Sequence, residues 1–80
     1  MMKVVKSAKY SIYVYANDHL PPHCHVRCKD GSEVVVDIPL IMPRFGAFIT
    51  KELEDLIIKN IEKLCEKWDE LNPLKEFNTN

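Results

Sequence analysis

All three histidines of the chain, His19, His23 and His25, lie within seven consecutive positions, and Asp18 directly precedes the first of them. Two prolines between the first and second histidine fix φ and remove two backbone donors, so we expect a stiff turn there. Imidazole changes charge close to neutral pH and is also the commonest protein ligand for metal ions. These four side chains are therefore where we expect any chemistry.

One interpretation of the histidines is a metal site. His23 and His25 are two positions apart in a predicted strand, so their side chains share a face, about 6.6 Å apart at Cα. Zinc needs a third and a fourth ligand at about 2.0–2.2 Å, and the turn brings His19 and Asp18 back towards the strand. Three histidines plus water would resemble a catalytic zinc site, and Asp18 as a fourth ligand would close it. This interpretation takes His19, His23 and His25 as the ligands.

A second interpretation needs no metal and places the same residues in acid–base catalysis on RNA. Arg27 lies further along the polar face of the strand and is suited to hold a phosphate. Tyr13 and Tyr15 share the polar face of the preceding strand and are suited to stack on unpaired bases. The catalytic residues would be His23 and His25 as acid and base, with His19 and Asp18 as orienting groups.

A third interpretation is architectural. The aspartate caps the turn, the histidines bind loop carbonyls, and the prolines stiffen a hairpin. Function would then lie on an exposed surface, because a sheet covered by one helix leaves its second face open. An apolar patch there would suit a homodimer or a small partner protein, unless segment 39–49 folds over it. The residues of this patch are Tyr13, Tyr15, Val35, Phe45, Phe48 and Ile49.

Composition limits the class of protein. Eighty residues allow one domain, expected over 1–72, with a flexible tail over 73–80. The net charge of -1 gives no general attraction to polyanions, so nucleic-acid binding must rest on a local patch. Three cysteines and the lack of a signal-like start favour reduced thiols in the cytoplasm. No apolar run is long enough to span a membrane.

Alternating apolar residues predict strands over 10–16, 23–29 and 33–38, with a short edge strand over 2–6 as a fourth. The turn at residues 29–31 allows two registers. A three-residue loop with Gly31 in the left-handed region keeps both faces consistent, whereas a two-residue loop mixes them. The chosen register pairs Val26 with Val34, Cys24 with Val36, and Arg27 with Glu33, the last as an ion pair.

Beyond the strands, Thr50 is typical of an N-cap, and apolar residues then recur at three and four positions as far as Asn72. Segment 39–49, broken by prolines and a glycine, reads as a short strand plus a loop, or as a flap. An apolar sheet face and an apolar helix stripe pack together. The sequence therefore predicts an α+β domain, a three- to four-stranded antiparallel meander with one long C-terminal helix packed on one face. The histidines would lie on the other face or at its rim.

The run from Val14 to Val26 closely resembles the hallmark of a small prokaryotic family, domain of unknown function 4160. Its members carry a hydrophobic strand, a D-H-x-P-P-H-x-H motif, a second strand like 33–38, and a closing helix near a tryptophan, matched here by Trp68. The resemblance is close over 10–38 and looser over the helix. The matching motif positions are Asp18, His19, Pro21, Pro22, His23 and His25. Cys24 stands where the family usually has an aromatic residue, and segment 39–49 lacks the family's usual acidic stretch.

The resemblance also implies a genetic setting, since members of this family look like short genes that commonly lie beside another small gene. That setting is similar to toxin–antitoxin pairs and favours RNA or a partner protein. Our leading hypothesis is a small cytoplasmic toxin–antitoxin-like module that binds or cleaves RNA through the histidine motif. The alternatives are a zinc-binding protein that uses the same histidines, and a partner-binding module without catalysis.

Overall fold

The computed structural model describes residues 1–73, which form a five-stranded antiparallel sheet followed by two helices. The strands lie side by side in chain order: β1 (Met2–Lys6), β2 (Tyr10–Val14), β3 (His23–Cys28), β4 (Glu33–Asp37) and β5 (Met42–Pro43). The helices are α1 (Lys51–Lys59) and α2 (Ile61–Leu71). The predicted α+β class and antiparallel meander are confirmed, but three to four strands and one long helix were wrong. The expected tail lies, from residue 74 onward, outside the described residues.

The fifth strand comes from segment 39–49, for which the sequence allowed a short strand plus a loop or a flap, and the structure has the short strand. Met42 pairs with Asp37, and Pro43 pairs with Val36, so β5 extends the sheet beyond β4. The chain enters and leaves this strand through left-handed residues, with φ of 60° at both Ile41 and Phe45. Bulky residues rarely adopt that conformation, so their types gave no signal for these turns.

The helical region is divided at Asn60, which has φ -112° and ψ 15°. Its side-chain amide donates to the Leu56 carbonyl at 2.8 Å, and its backbone N–H donates to the Ile57 carbonyl at 3.0 Å. Asparagine side chains compete in this way with the regular helical ladder. The apolar spacing continues across the break, so the sequence pattern did not predict it. Thr50 is confirmed as the N-cap, because its hydroxyl accepts from the Leu53 N–H at 3.1 Å.

The register between β3 and β4 agrees with the prediction at all three predicted pairs. The expected ion pair of Arg27 and Glu33 is absent from the described residues, although the two residues are directly opposite. Glu33 instead accepts from a nitrogen of His25, one pair further along the same face. Arg27 lies over the Tyr13 ring, 5.2 Å from its centroid.

The core lies between the apolar face of the sheet and the two helices. Its fully buried side chains include Ile12, Val14, Cys24, Val26, Val36, Ile57 and Leu64. Trp68 of α2 closes this core at the end of the sheet where β3 begins, with its ring 5.0 Å from that of His23. Within residues 1–73, no helix has the length and apolarity needed to cross a membrane.

Candidate functional site

Three side chains of the histidine motif converge: Asp18 from the turn between β2 and β3, and His23 and His25 from β3. Asp18 Oδ2 lies 2.8 Å from His23 Nε2 and 3.5 Å from His25 Nε2. The two imidazole rings are 5.1 Å apart at their centroids. Alternation along β3 brings the histidines to one face, and the turn folds the carboxylate over them. We call Asp18, His23 and His25 the triad.

The position of Asp18 depends on the end of α2. Asn72, the C-cap, accepts from the Asp18 backbone N–H through Oδ1 at 2.7 Å. The side-chain amide of Asn72 donates to the Tyr15 carbonyl at 2.8 Å. A helix end thus fixes the first half of the turn at two positions, and the carboxylate is held in place. The Leu20–Pro21 peptide bond within this turn is cis.

His23 is buried, with 3% of its surface exposed. Its Nδ1 lies 2.8 Å from the Pro21 carbonyl oxygen, which can only accept, so Nδ1 carries the proton in this contact. Arg44 Nη2 lies 3.2 Å from the Pro21 carbonyl oxygen and 3.2 Å from His23 Nδ1. Because the carbonyl contact is the shorter one, we assign Arg44 as a second donor to the Pro21 oxygen. Arg44 is itself held by an ion pair with Asp37.

His25 follows the same pattern with a different acceptor. Its Nδ1 lies 2.9 Å from Glu33 Oε2, a carboxylate oxygen that accepts a hydrogen bond from the Nδ1–H group. The Tyr15 ring covers one side of the imidazole, 4.4 Å away between centroids. The remaining nitrogen, Nε2, is buried and makes no hydrogen bond to any described residue. A buried polar atom without a partner is costly unless something else satisfies it.

The electrostatics of the triad follow from these contacts. Asp18 Oδ2 lies within hydrogen-bond distance of His23 Nε2, at 2.8 Å, and His25 Nε2 is the next nearest ring nitrogen, at 3.5 Å. Burial alone would raise the pKa of Asp18, but the His19 backbone N–H and the two histidines lower it below its usual value. The carboxylate is thus held ionised, and one nitrogen of each imidazole is directed at it. A proton can join each nitrogen to the carboxylate oxygen, and a metal cation can take the place of those protons.

The triad geometry fits a metal ion. Its three ligand atoms lie within 4.8 Å of one another. Ligands at about 2.0–2.1 Å around a tetrahedral ion are about 3.3 Å apart, close to the two distances from Asp18. Metal-binding imidazoles usually donate their second nitrogen to a carboxylate or a carbonyl, and both partners are present here. Two histidines and one carboxylate form a recurrent ligand set for zinc and for non-haem iron, with positions left open.

The other predicted site residues lie outside the triad. His19 is exposed, and only its backbone N–H contacts Asp18. Tyr13 is buried under Arg27 and Lys3, so its ring has no open face for a base. Tyr15 is half-buried against His25 rather than available for stacking. Arg27 is exposed and remains free to bind an anion.

Three residues that support the triad were not identified from the sequence: Glu33, Arg44 and Asn72. Glu33 was expected to pair with Arg27, and the predicted register already placed it on the face of His25. Asn72 was identified only as the position where the helix ends. Arg44 carried no signal, because it reaches His23 only through the pairing of β5 with β4, which the sequence did not predict.

Comparisons with known proteins give the family of the chain and no characterised relative. No curated protein and no solved structure matches this chain. A sequence profile described as a domain of unknown function (DUF4160) matches residues 10–69, a span that contains the triad, Glu33 and Arg44. Because the match covers most of the sequence, the chain belongs to the DUF4160 family.

Proposed function

We propose that this protein binds one divalent transition-metal ion, with zinc as the first candidate, through Asp18, His23 and His25. The observation that carries the proposal is the buried, unpartnered Nε2 of His25, directed at a carboxylate oxygen that also meets His23 Nε2. A metal ion would satisfy both nitrogens and the carboxylate at once. The Nδ1 contacts to Glu33 and Pro21 favour the tautomer that metal binding requires.

The chemistry of such a site would be hydrolytic or regulatory rather than purely structural. Three protein ligands leave at least one position of the ion open, as in catalytic zinc sites, and a water bound there is acidified. Asp18 has the most exposed side chain of the triad, so the open position would face the side of the turn. His19 is near in sequence but is not required in this proposal.

Metal-free acid–base catalysis on RNA, the leading hypothesis from the sequence, has less geometric support. A general acid or base must reach the proton that it transfers. The His23 side chain is 4% exposed, and the Nε2 of His25 is buried. The expected stacking residues Tyr13 and Tyr15 are also covered. A toxin–antitoxin role and a partner protein remain predictions from the family resemblance.

Elemental analysis of the purified untagged protein, after incubation with zinc and removal of the excess, tests the proposal directly. We expect about one zinc per chain in the wild type and in His19→Ala. His25→Ala should lose the metal, because the remaining two ligands cannot hold it. His19→Ala is the matched control, since it removes the histidine of the motif that lies outside the triad.

Two results would contradict the proposal. One is a wild-type protein that binds no zinc, cobalt or iron while its circular dichroism shows a folded chain. The other is equal loss of metal in His19→Ala and His25→Ala. An RNA-cleavage assay on the metal-free wild type and on His25→Ala would then test the acid–base alternative.

A further inference from the structure

The charges of this protein are segregated, although they nearly cancel over the whole chain. Residues 1–29 carry five lysine and arginine side chains against one aspartate. Helices α1 and α2 carry seven acidic side chains against four lysines. The net charge therefore hides a positive end of the sheet and a negative helical layer. A polyanion would be attracted to the first and repelled by the second.

The positive charges gather on the sheet face that also carries the triad. Lys6 pairs with Ser11, and Ser11 pairs with Arg27, so the two cations lie on the same face of the sheet, on the two strands that flank β2. Lys6, Arg27 and Lys29 line one cleft of about 210 Å³, together with Lys9. Lys3 lies two pairs further along β1, with its amine over the Tyr13 ring. We call Lys3, Lys6, Arg27 and Lys29 the cation cluster.

The cation cluster is not neutralised by the protein. Within residues 1–73, none of its four members forms an ion pair with a carboxylate, whereas Lys9 pairs with Glu52. Glu33, the acid nearest in register, accepts from His25 instead. Lys3 and Arg27 are further fixed by the ring of Tyr13, at 5.7 and 5.2 Å from its centroid. Because these two side chains are already held in place, they lose less conformational entropy when they bind an anion.

We propose that the cation cluster binds the phosphodiester backbone of single-stranded nucleic acid. Arginine and lysine side chains on an open sheet face bind a flexible phosphate chain without reading its bases. The exposed apolar side chains Leu40, Met42 and Phe45 lie in and around β5, at the edge of the sheet opposite β1, and of the described large apolar side chains only Met1 and Met2 are exposed at the β1 edge. A membrane surface would use cations together with large apolar side chains, and because the exposed apolar set around β5 lies at the opposite edge from the cations, nucleic acid is favoured. The inference is independent of the metal site, because no member of the cluster belongs to the triad.

Fluorescence anisotropy with labelled oligouridylate and oligothymidylate of about 12 nucleotides tests this inference. The informative variant is Lys6→Gln/Arg27→Gln, and its matched control is Lys59→Gln/Lys63→Gln on the helical layer. Both lose two positive charges. Losing two phosphate contacts should weaken binding roughly 25-fold at about 0.1 M salt and flatten the salt slope by about 1.4. The control should stay within about threefold of the wild type.

Further measurements on the same proteins separate the proposed ligand from other anions. His25→Ala, which tests the metal site, should retain oligonucleotide binding, so the two proposals fail separately. Equal weakening in both double variants, or none in either, would overturn the inference. Displacement of the oligonucleotide by polyglutamate at equal charge would also overturn it, because it would indicate an acidic protein ligand. Binding to phosphatidylserine vesicles that is stronger than binding to the oligonucleotide would overturn it as well. Thermal unfolding of each variant confirms that it is folded at the assay temperature.

Discussion

Each imidazole of the triad has one nitrogen fixed by an acceptor and one directed at Asp18. For His25 the fixing group is Glu33, a charged acceptor, whereas for His23 it is the neutral carbonyl of Pro21. A carboxylate behind a ligating imidazole increases the basicity of the imidazole and holds its ring in place. Glu33 is therefore the supporting residue whose charge matters most to the proposed metal site.

Replacing Glu33 with glutamine keeps an oxygen that accepts from His25 but removes the negative charge. We expect zinc affinity to fall about 10–100-fold in Glu33→Gln, because the imidazole becomes a weaker ligand. Competition with a fluorescent zinc chelator measures the change. Glu62→Gln, an exposed position at the start of α2, is the control for lost charge. An affinity in Glu33→Gln within about threefold of the control would show that Glu33 does not support the metal.

Cys24 illustrates a residue whose chemistry is suppressed by its position. It is fully buried on the apolar face of β3, and burial raises its pKa from 9.0 to about 12. The predicted register placed Cys24 opposite Val36, and the raised pKa keeps the thiol neutral and unreactive at physiological pH.

The raised pKa of Cys24 has a consequence for stability above pH 9. The unfolded chain loses the thiol proton near pH 9, while the folded chain keeps it until about pH 12. The folded state then binds more protons, so its stability falls as pH rises, by about 1.4 kcal/mol per pH unit. Urea unfolding of the wild type and of Cys24→Ala at several pH values measures this fall in stability. All other titratable groups are the same in the two proteins, so the difference between their unfolding free energies isolates the effect of Cys24. The unfolding free energy of the wild type should exceed that of Cys24→Ala by less and less between about pH 8 and 10.5. A difference that stays constant over this range would contradict the raised pKa.

At the scale of elements, the end of α2 and the turn between β2 and β3 form one unit through Asn72. Truncation in Asn72→Ala leaves the Asp18 N–H and the Tyr15 carbonyl without their partners. We expect unfolding free energy to fall by about 1–3 kcal/mol. Zinc affinity should fall as well, because Asp18 loses its anchor. Asn60→Ala, which loses a similar bond to Leu56, should lower stability and leave zinc affinity unchanged. Unchanged affinity in both variants would show that α2 does not position the triad.

Sequence patterns predicted the elements whose signals are local. Alternation on both sides of Gly31 determined the register of β3 on β4, since any other pairing would expose one apolar set. The same alternation placed both strand histidines on one face. Strand β5 was only one of two interpretations of segment 39–49, because it is two residues long and lies between left-handed turns at bulky residues. The break in the helix at Asn60 was not predicted, because the stripe of apolar residues continues through it.

The triad itself was only partly predictable. Asp18, His23 and His25 were all among the candidates, but neighbouring His19 could not be separated from them by spacing. Whether a turn residue points towards a strand or away from it depends on distant anchors. Here the anchor is Asn72, more than fifty residues away in the chain, and no local pattern contains that information.

At the scale of the whole molecule, the triad lies where the sheet, the turn and the last helix meet. Trp68 of the core packs against His23, and Asn72 holds the turn that carries Asp18. A metal ion bound there would join the turn to β3, and the contacts of Asn72 with Asp18 and of Trp68 with His23 connect that unit to the last helix. Because an unfolded chain does not preserve this geometry, binding should be linked to global stability.

This linkage predicts a large thermal shift. Free zinc at about 100 times its dissociation constant would stabilise the folded state by about 2.7 kcal/mol. For a domain of this size, that corresponds to a Tm increase of roughly 10–20 °C, measurable by circular dichroism. His19→Ala should show the full increase and His25→Ala none, since only His25 belongs to the triad. An equal increase in both variants would mean that zinc binds elsewhere, and magnesium, which prefers oxygen ligands, should produce little shift in any of them.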